Sequence, residues 1–115
     1  MNLPDASPAF ISADSIEWKT VDPGVQRKIL GYDDHLMMVC VKFEKDAIGS
    51  LHHHVHRQAT FVQSGSFEVT LDGQKTILKA GDCFFVAPDL IHGVVALEEG
   101  MLVDVFAPAR QDFLK

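Results

Sequence analysis

The chain has 115 residues, a formal net charge of -6, a pI near 5.3, and is 47% hydrophobic and 23% charged. That length suits one domain able to bury roughly two thirds of its unfolded surface without disulfides or a structural metal. The acidic balance and the lack of a basic run argue against nucleic acid or an anionic membrane as partner.

The N-terminus, Met1 to Pro8, has neither a charged n-region nor an apolar h-region, and the longest apolar run, Leu36 to Val41, is too short to span a bilayer. A cytoplasmic location is therefore expected. Pro4, Pro8 and Pro23-Gly24 break up residues 1-34, which read as an irregular arm and then two short strands joined at Asp22-Pro-Gly. Trp18 is expected to pack, at a subunit interface if the chain is a homodimer. His35, in Tyr-Asp-Asp-His, has no partner in the pattern and reads as an exposed loop residue.

From Leu36 onward the alternation predicts strands near 36-43, 50-56, 58-63, 66-71, 74-79, 83-87, 91-97 and 101-106, with no helical period sustained over ten residues. Asp72-Gly73 between two alternating runs is the signature of a tight type I′ hairpin. Gly65, Gly81 and Gly100 punctuate strands. Cys40 and Cys83 lie in apolar runs and read as small buried hydrophobes. Short strands with Gly and Pro turns suggest an all-β antiparallel double sheet closed on itself, in one domain spanning 1-115 with its barrel over 35-114.

Four of the six histidines fall within His52-His53-His54-Val55-His56. Neutral imidazole is the commonest ligand for borderline transition metals, and on a strand His52, His54, His56, Gln58 and Thr60 would share one face. A His-x-His pair needs a third nitrogen from elsewhere, and His92 follows an apolar run and a turn. His54 with His56 is an alternative pair on the same spacing. Asp104 is a carboxylate between Val103 and Val105, costly to bury unless paired or functional, and Arg110 is the nearest cation in sequence, suited to pairing with Asp104 or to gripping a carboxylate at two points.

These motifs resemble the cupin superfamily. Counting back from Gly65 places the acid or amide on Gln58 and the His-x-His pair on His52 and His54; counting forward from Gly81 places the last ligand on His92. The chain departs from the pattern at Pro-x-Gly, where Pro88 is displaced by one and Asp89 replaces glycine. Asp104-Val105-Phe106-x-Pro108-x-Arg110 further resembles the pectin-degradation cupins that linearise 4,5-unsaturated uronate monomers from pectin and alginate. That resemblance implies a jelly-roll β-barrel (double-stranded β-helix), one divalent metal (Mn, Fe, Ni or Zn) on His52, His54, Gln58 and His92, and an anionic sugar acid as substrate. It further implies that Asp104 handles the proton, Arg110 grips the carboxylate, Phe106 shapes the pocket and the chain is a homodimer. An Fe(II) dioxygenase and a non-catalytic module binding a sugar acid or metal are the competing readings.

Overall fold

A computed structural model of the chain describes residues 3-115. Its regular elements are ten strands and two short 3-10 turns, Ala13–Ser15 and Gln111–Leu114. The strands are β1 (Lys19–Asp22), β2 (Val25–Tyr32), β3 (Met37–Phe43), β4 (Ile48–His52), β5 (Arg57–Ser64), β6 (Ser66–Leu71), β7 (Gln74–Lys79), β8 (Cys83–Val86), β9 (His92–Ala96) and β10 (Gly100–Ala107). They form a six-stranded sheet in the order β1-β2-β3-β10-β5-β8 and a four-stranded sheet in the order β4-β9-β6-β7. Every pairing is antiparallel.

The sheets are not hydrogen-bonded to each other, so the barrel expected from the sequence stands open as two facing sheets. No helix among the described residues is long and apolar enough to cross a membrane.

Strand alternation decides what faces inward. In the six-stranded sheet, aligned rows run Arg27, Val41, Leu102, Val62; then Val39, Asp104, Thr60, Phe84; then Met37, Phe106, Gln58, Val86. Two apolar clusters result. Phe43, Val62, Phe67, Val94 and Leu102 belong to one, and Met37, Val39, Phe106, Ala109 and Leu114 to the other. Asp104 lies on β10 between Leu102 of the first and Phe106 of the second, so its carboxylate points where the two cores leave a space.

Two local expectations change. Strand β4 stops at His52, and residues 53-56 belong to no strand, so His54 is carried by a loop instead of by strand periodicity. Cys83 is exposed and Cys40 half-buried, because Cys83 stands on the outer face of the edge strand β8. Trp18 lies between two ammonium groups, Lys28 at 4.6 Å and Lys42 at 4.5 Å from its ring centre. His35 is exposed, its backbone N–H donating to Asp33 Oδ1 at 2.8 Å.

The hairpin at Asp72-Gly73 has both residues at positive φ, 49° and 81°, as a type I′ turn requires. Asp89 takes φ 66°, the left-handed conformation that the glycine of Pro-x-Gly would supply; aspartate is among the few residues that tolerate it. The turn is thereby kept, and Asp89 N–H donates to His54 O at 2.8 Å, tying the histidine loop to the segment that leads into His92.

Candidate metal centre

His52, His54 and His92 offer ligand atoms within 4.8 Å of one another. Two mechanisms bring them together. His52 and His92 are register partners across β4 and β9. Beside them Gly93 lies so close to β4 that a Cβ would stand 2.8 Å from Gly49 O, so a side chain there would push the strands and their histidines apart. His54 reaches the same point from its loop, held by Asp89 and by its own ring. His56 stands outside the group of three, its ring 6.5 Å from Phe106 and edge-on to His54.

Each of the three rings is oriented by a backbone carbonyl two residues away. His52 Nδ1 meets Ser50 O at 2.8 Å, His54 Nδ1 meets His56 O at 3.0 Å, and His92 Nδ1 meets Leu90 O at 2.9 Å. A carbonyl only accepts, so Nδ1 carries the proton and Nε2 presents its lone pair, the arrangement typical of metal-ligating histidine.

Gln58 faces these lone pairs. Its Nε2 donates to Thr60 Oγ1 at 2.9 Å and lies 3.4 Å from Asp104 Oδ1, which orients the amide and turns Oε1 toward His54 Nε2 (3.0 Å) and His92 Nε2 (3.1 Å). Both nitrogens of both rings thus meet only acceptors. A proton on every nitrogen would relieve this, but burial lowers the basicity of His54 and brings His92 down to about 4, which disfavours imidazolium. A metal cation among three imidazole nitrogens and an amide oxygen satisfies all of these atoms together. The donor set therefore fits a divalent transition metal.

The cluster borders a cavity of about 340 Å³, the size of a small-ligand site. Its polar wall includes Arg27, His52, Gln58, His92, Asp104 and Arg110; Val41, Phe43, Phe84, Leu102, Phe106 and Phe113 supply apolar surface. Thr60 donates to Asp104 Oδ1 at 2.6 Å, and burial raises Asp104 to about 6 against the opposing pull of Thr60, Arg110 and Gln58. Arg110 makes a two-point ion pair with Asp112, Nε to Oδ1 at 3.0 Å and NH2 to Oδ2 at 2.9 Å. The ion pair of Arg110 is thus made with Asp112, in the 3-10 turn that follows it, and not with Asp104, the partner weighed from the sequence. Phe106 is buried, with its ring edge-on to His54 at 5.7 Å and to Phe113 at 5.7 Å, and forms the wall between the histidines and Arg110.

Phe113 and Arg27 escaped notice in the sequence, and Thr60 was placed on the histidine face without its link to Asp104. For Arg27 a signal existed: Val25, Arg27 and Ile29 alternate on one face, placing a cation in an apolar row just as Asp104 breaks its own.

Residues 39–106 match the family model of the cupin domain. The chain is a cupin. It is 50% identical over 103 residues to the pectin degradation protein KdgF of Dickeya dadantii, covering 88% of this chain and 94% of that one. This cupin also superposes on the crystal structure of an RmlC-like cupin from Shewanella frigidimarina, with a TM-score of 0.93, 40% identity, and 96% and 99% of the two chains covered. The structure of KdgF from Halomonas sp. matches with a TM-score of 0.90 and 42% identity, over 94% of this cupin and 100% of that chain. Among cupins it thus belongs with the pectin-degradation group.

Proposed function

We propose that this cupin is an enzyme that linearises 4,5-unsaturated uronate monomers released from pectin or alginate. The observation that carries the reading is Asp104, a carboxylate held by Thr60 and Gln58 in a cavity wall that also carries His52, His92, Arg27 and Arg110. Kinship with a pectin degradation protein supports a substrate that comes from pectin breakdown. In this reading residues 1-115 act as one jelly-roll domain wrapped around the cavity.

His52, His54 and His92 through Nε2, and Gln58 through Oε1, would hold the metal. When bound, Mn, Fe, Ni or Zn supplies an electrophile for a substrate oxygen. The proton chemistry falls to Asp104. Its carboxylate takes the proton of the anomeric hydroxyl as the bond from C1 to the ring oxygen breaks, leaving an aldehyde at C1 and an enolate at C5. Asp104 then delivers that same proton to C4 as the enolate collapses to a ketone at C5. The product is an isomer of the substrate, so neither an oxidant nor a net water is consumed. A carboxyl that titrates near neutrality is suited to both directions of transfer. Phe106 shapes the pocket and keeps water from the enolate, while the N–H groups of Arg110 not engaged by Asp112 face the substrate carboxylate.

The test is the ultraviolet absorbance of the enol-ether band of an unsaturated uronate under argon. Metal-loaded wild type should speed its loss and His54→Ala should not. Turnover under argon would dispose of the dioxygenase reading. A uronate recovered unchanged would leave a binding module in its place.

The assembly we propose is a homodimer through the outer face of the six-stranded sheet, where strand alternation gathers Met38, Phe61, Phe85, Val103 and Val105. Phe61 is 48% and Phe85 57% exposed, and a two-fold axis needs only one such patch per chain. Light scattering should give a dimer that Phe61→Glu converts to a monomer; a monomeric wild type would overturn it.

A further inference from the structure

Arg110 spends one edge of its fork locally: Nε and NH2 are held by the two oxygens of Asp112, so its charge arrives in the cavity already balanced. Arg27 lines the same cavity in a different condition. Its Nε is buried without a hydrogen-bond partner, and neither ion pair among the described residues includes it. Its guanidinium carbon stands 3.7 Å from the centre of the Phe113 ring, and that of Arg110 stands 4.3 Å from the same centre. One aromatic ring therefore carries two guanidinium groups. Stacking occupies the flat face of Arg27 and leaves its N–H edge for an acceptor lying in the guanidinium plane.

A buried donor without an acceptor is costly, and an arginine cannot relieve the cost by losing its proton. Its register neighbours, Val41 on β3 and Lys19 on β1, offer its side chain no acceptor, and the carboxylate whose charge reaches it, Asp112, is held by Arg110. The missing partner is a planar anion with two oxygens, delivered by the ligand.

We infer that Arg27 is the principal carboxylate receptor of the cavity and sets its preference for sugar acids over neutral sugars. Asp112 holds Arg110 against Phe113, and Phe113 in turn holds Arg27 with its N–H edge open. The inference deepens the uronate reading and rests on it for placing a sugar acid in this cavity.

The probe is D-galacturonate, a saturated and unreactive uronate, with D-galactose as its neutral counterpart. Calorimetric titration of each into metal-loaded wild type, Arg27→Gln and Arg27→Lys reads binding without turnover, with metal content and melting temperature recorded for each. Wild type should prefer galacturonate. Arg27→Gln should weaken galacturonate roughly 10- to 100-fold, the usual size of a charge-assisted pair, and leave galactose unchanged. Arg27→Lys should keep part of the preference, having the charge without the fork. An Arg27 that only supports Phe113 would lower the melting temperature and leave the preference intact, and that result overturns the inference. So does a wild type that binds galacturonate no better than galactose.

The unsaturated uronate assay, run on the same proteins, separates the two ideas. Preference that depends on Arg27, without conversion by wild type, would remove the reaction and keep the receptor. Conversion by Arg27→Gln with undiminished kcat/KM would do the reverse.

Discussion

Asp104→Asn is expected to abolish turnover of an unsaturated uronate while making the metal-free protein more stable. Loss of a positioned acid-base group costs about 10²- to 10⁴-fold in rate, and an amide of the same shape keeps the acceptor that Thr60 and Gln58 use. Stability moves in the opposite direction because Asp104 is ionised at a cost. Its folded value of about 6 lies above the ordinary 3.8, so the folded protein holds the proton more tightly than the unfolded chain. Between pH 4 and 6 the unfolded chain therefore loses its proton first, and native stability falls as pH rises; above pH 6 the penalty is constant. Two pH units correspond to at most about 3 kcal/mol, less here because the cavity admits water. Asp104→Asn should thus melt with the wild type at pH 4 and above it at pH 7 to 8. If Asp104 were instead a structural ion-pair partner of Arg110, the variant would melt lower at neutral pH. Full activity in Asp104→Asn would sink the catalytic role.

His92→Ala is expected to remove the metal. Changing the residues that merely orient metal ligands costs roughly 10- to 100-fold in affinity, so deleting a ligand costs at least the upper end of that range. The wild type should gain on the order of 3 kcal/mol of stability when metal is supplied at about 100 times its dissociation constant, and His92→Ala should gain almost none. His53→Ala and His56→Ala supply the contrast. His53 is exposed and His56 stands outside the cluster, so both should retain the metal stoichiometry of the wild type after dialysis. Loss of metal from His56→Ala together with retention by His92→Ala would show the ligand set to be wrong.

Either result bears on how the site is made. His52 and His92 come from neighbouring strands, but the loop of His54 is tied in by a hydrogen bond from Asp89, a residue where the family pattern has glycine. Asp89 adopts the left-handed backbone in glycine's place and offers its N–H at the position the loop needs. The departure in sequence therefore leaves the local geometry intact.

Much of this protein was legible before any coordinates, because local rules were enough. Alternation located the strands after residue 36 to within a few residues. Asp72-Gly73 specified its own turn, and the resemblance to the cupin motif, counted back from Gly65, pointed to His52, His54 and Gln58. Period two put His56 on the same face as His52 and His54 and left it open as an alternative; the strand ends at His52, and the loop carries His54 inward while His56 stays aside. Solvent exposure of Cys83 was equally hidden, since an apolar run does not reveal that its strand lies at a sheet edge.

Only the tertiary structure could decide the partners. Asp104 meets Thr60 because β10 lies beside β5, Arg110 turns to Asp112 because the chain coils into a 3-10 turn, and Arg27 enters the cavity from a strand two places away in the sheet. Period and turn chemistry act over a few residues and can be read along the chain. The pairing of β2 with β3 and of β3 with β10 depends on which apolar faces can be buried together, and that is a property of the whole fold.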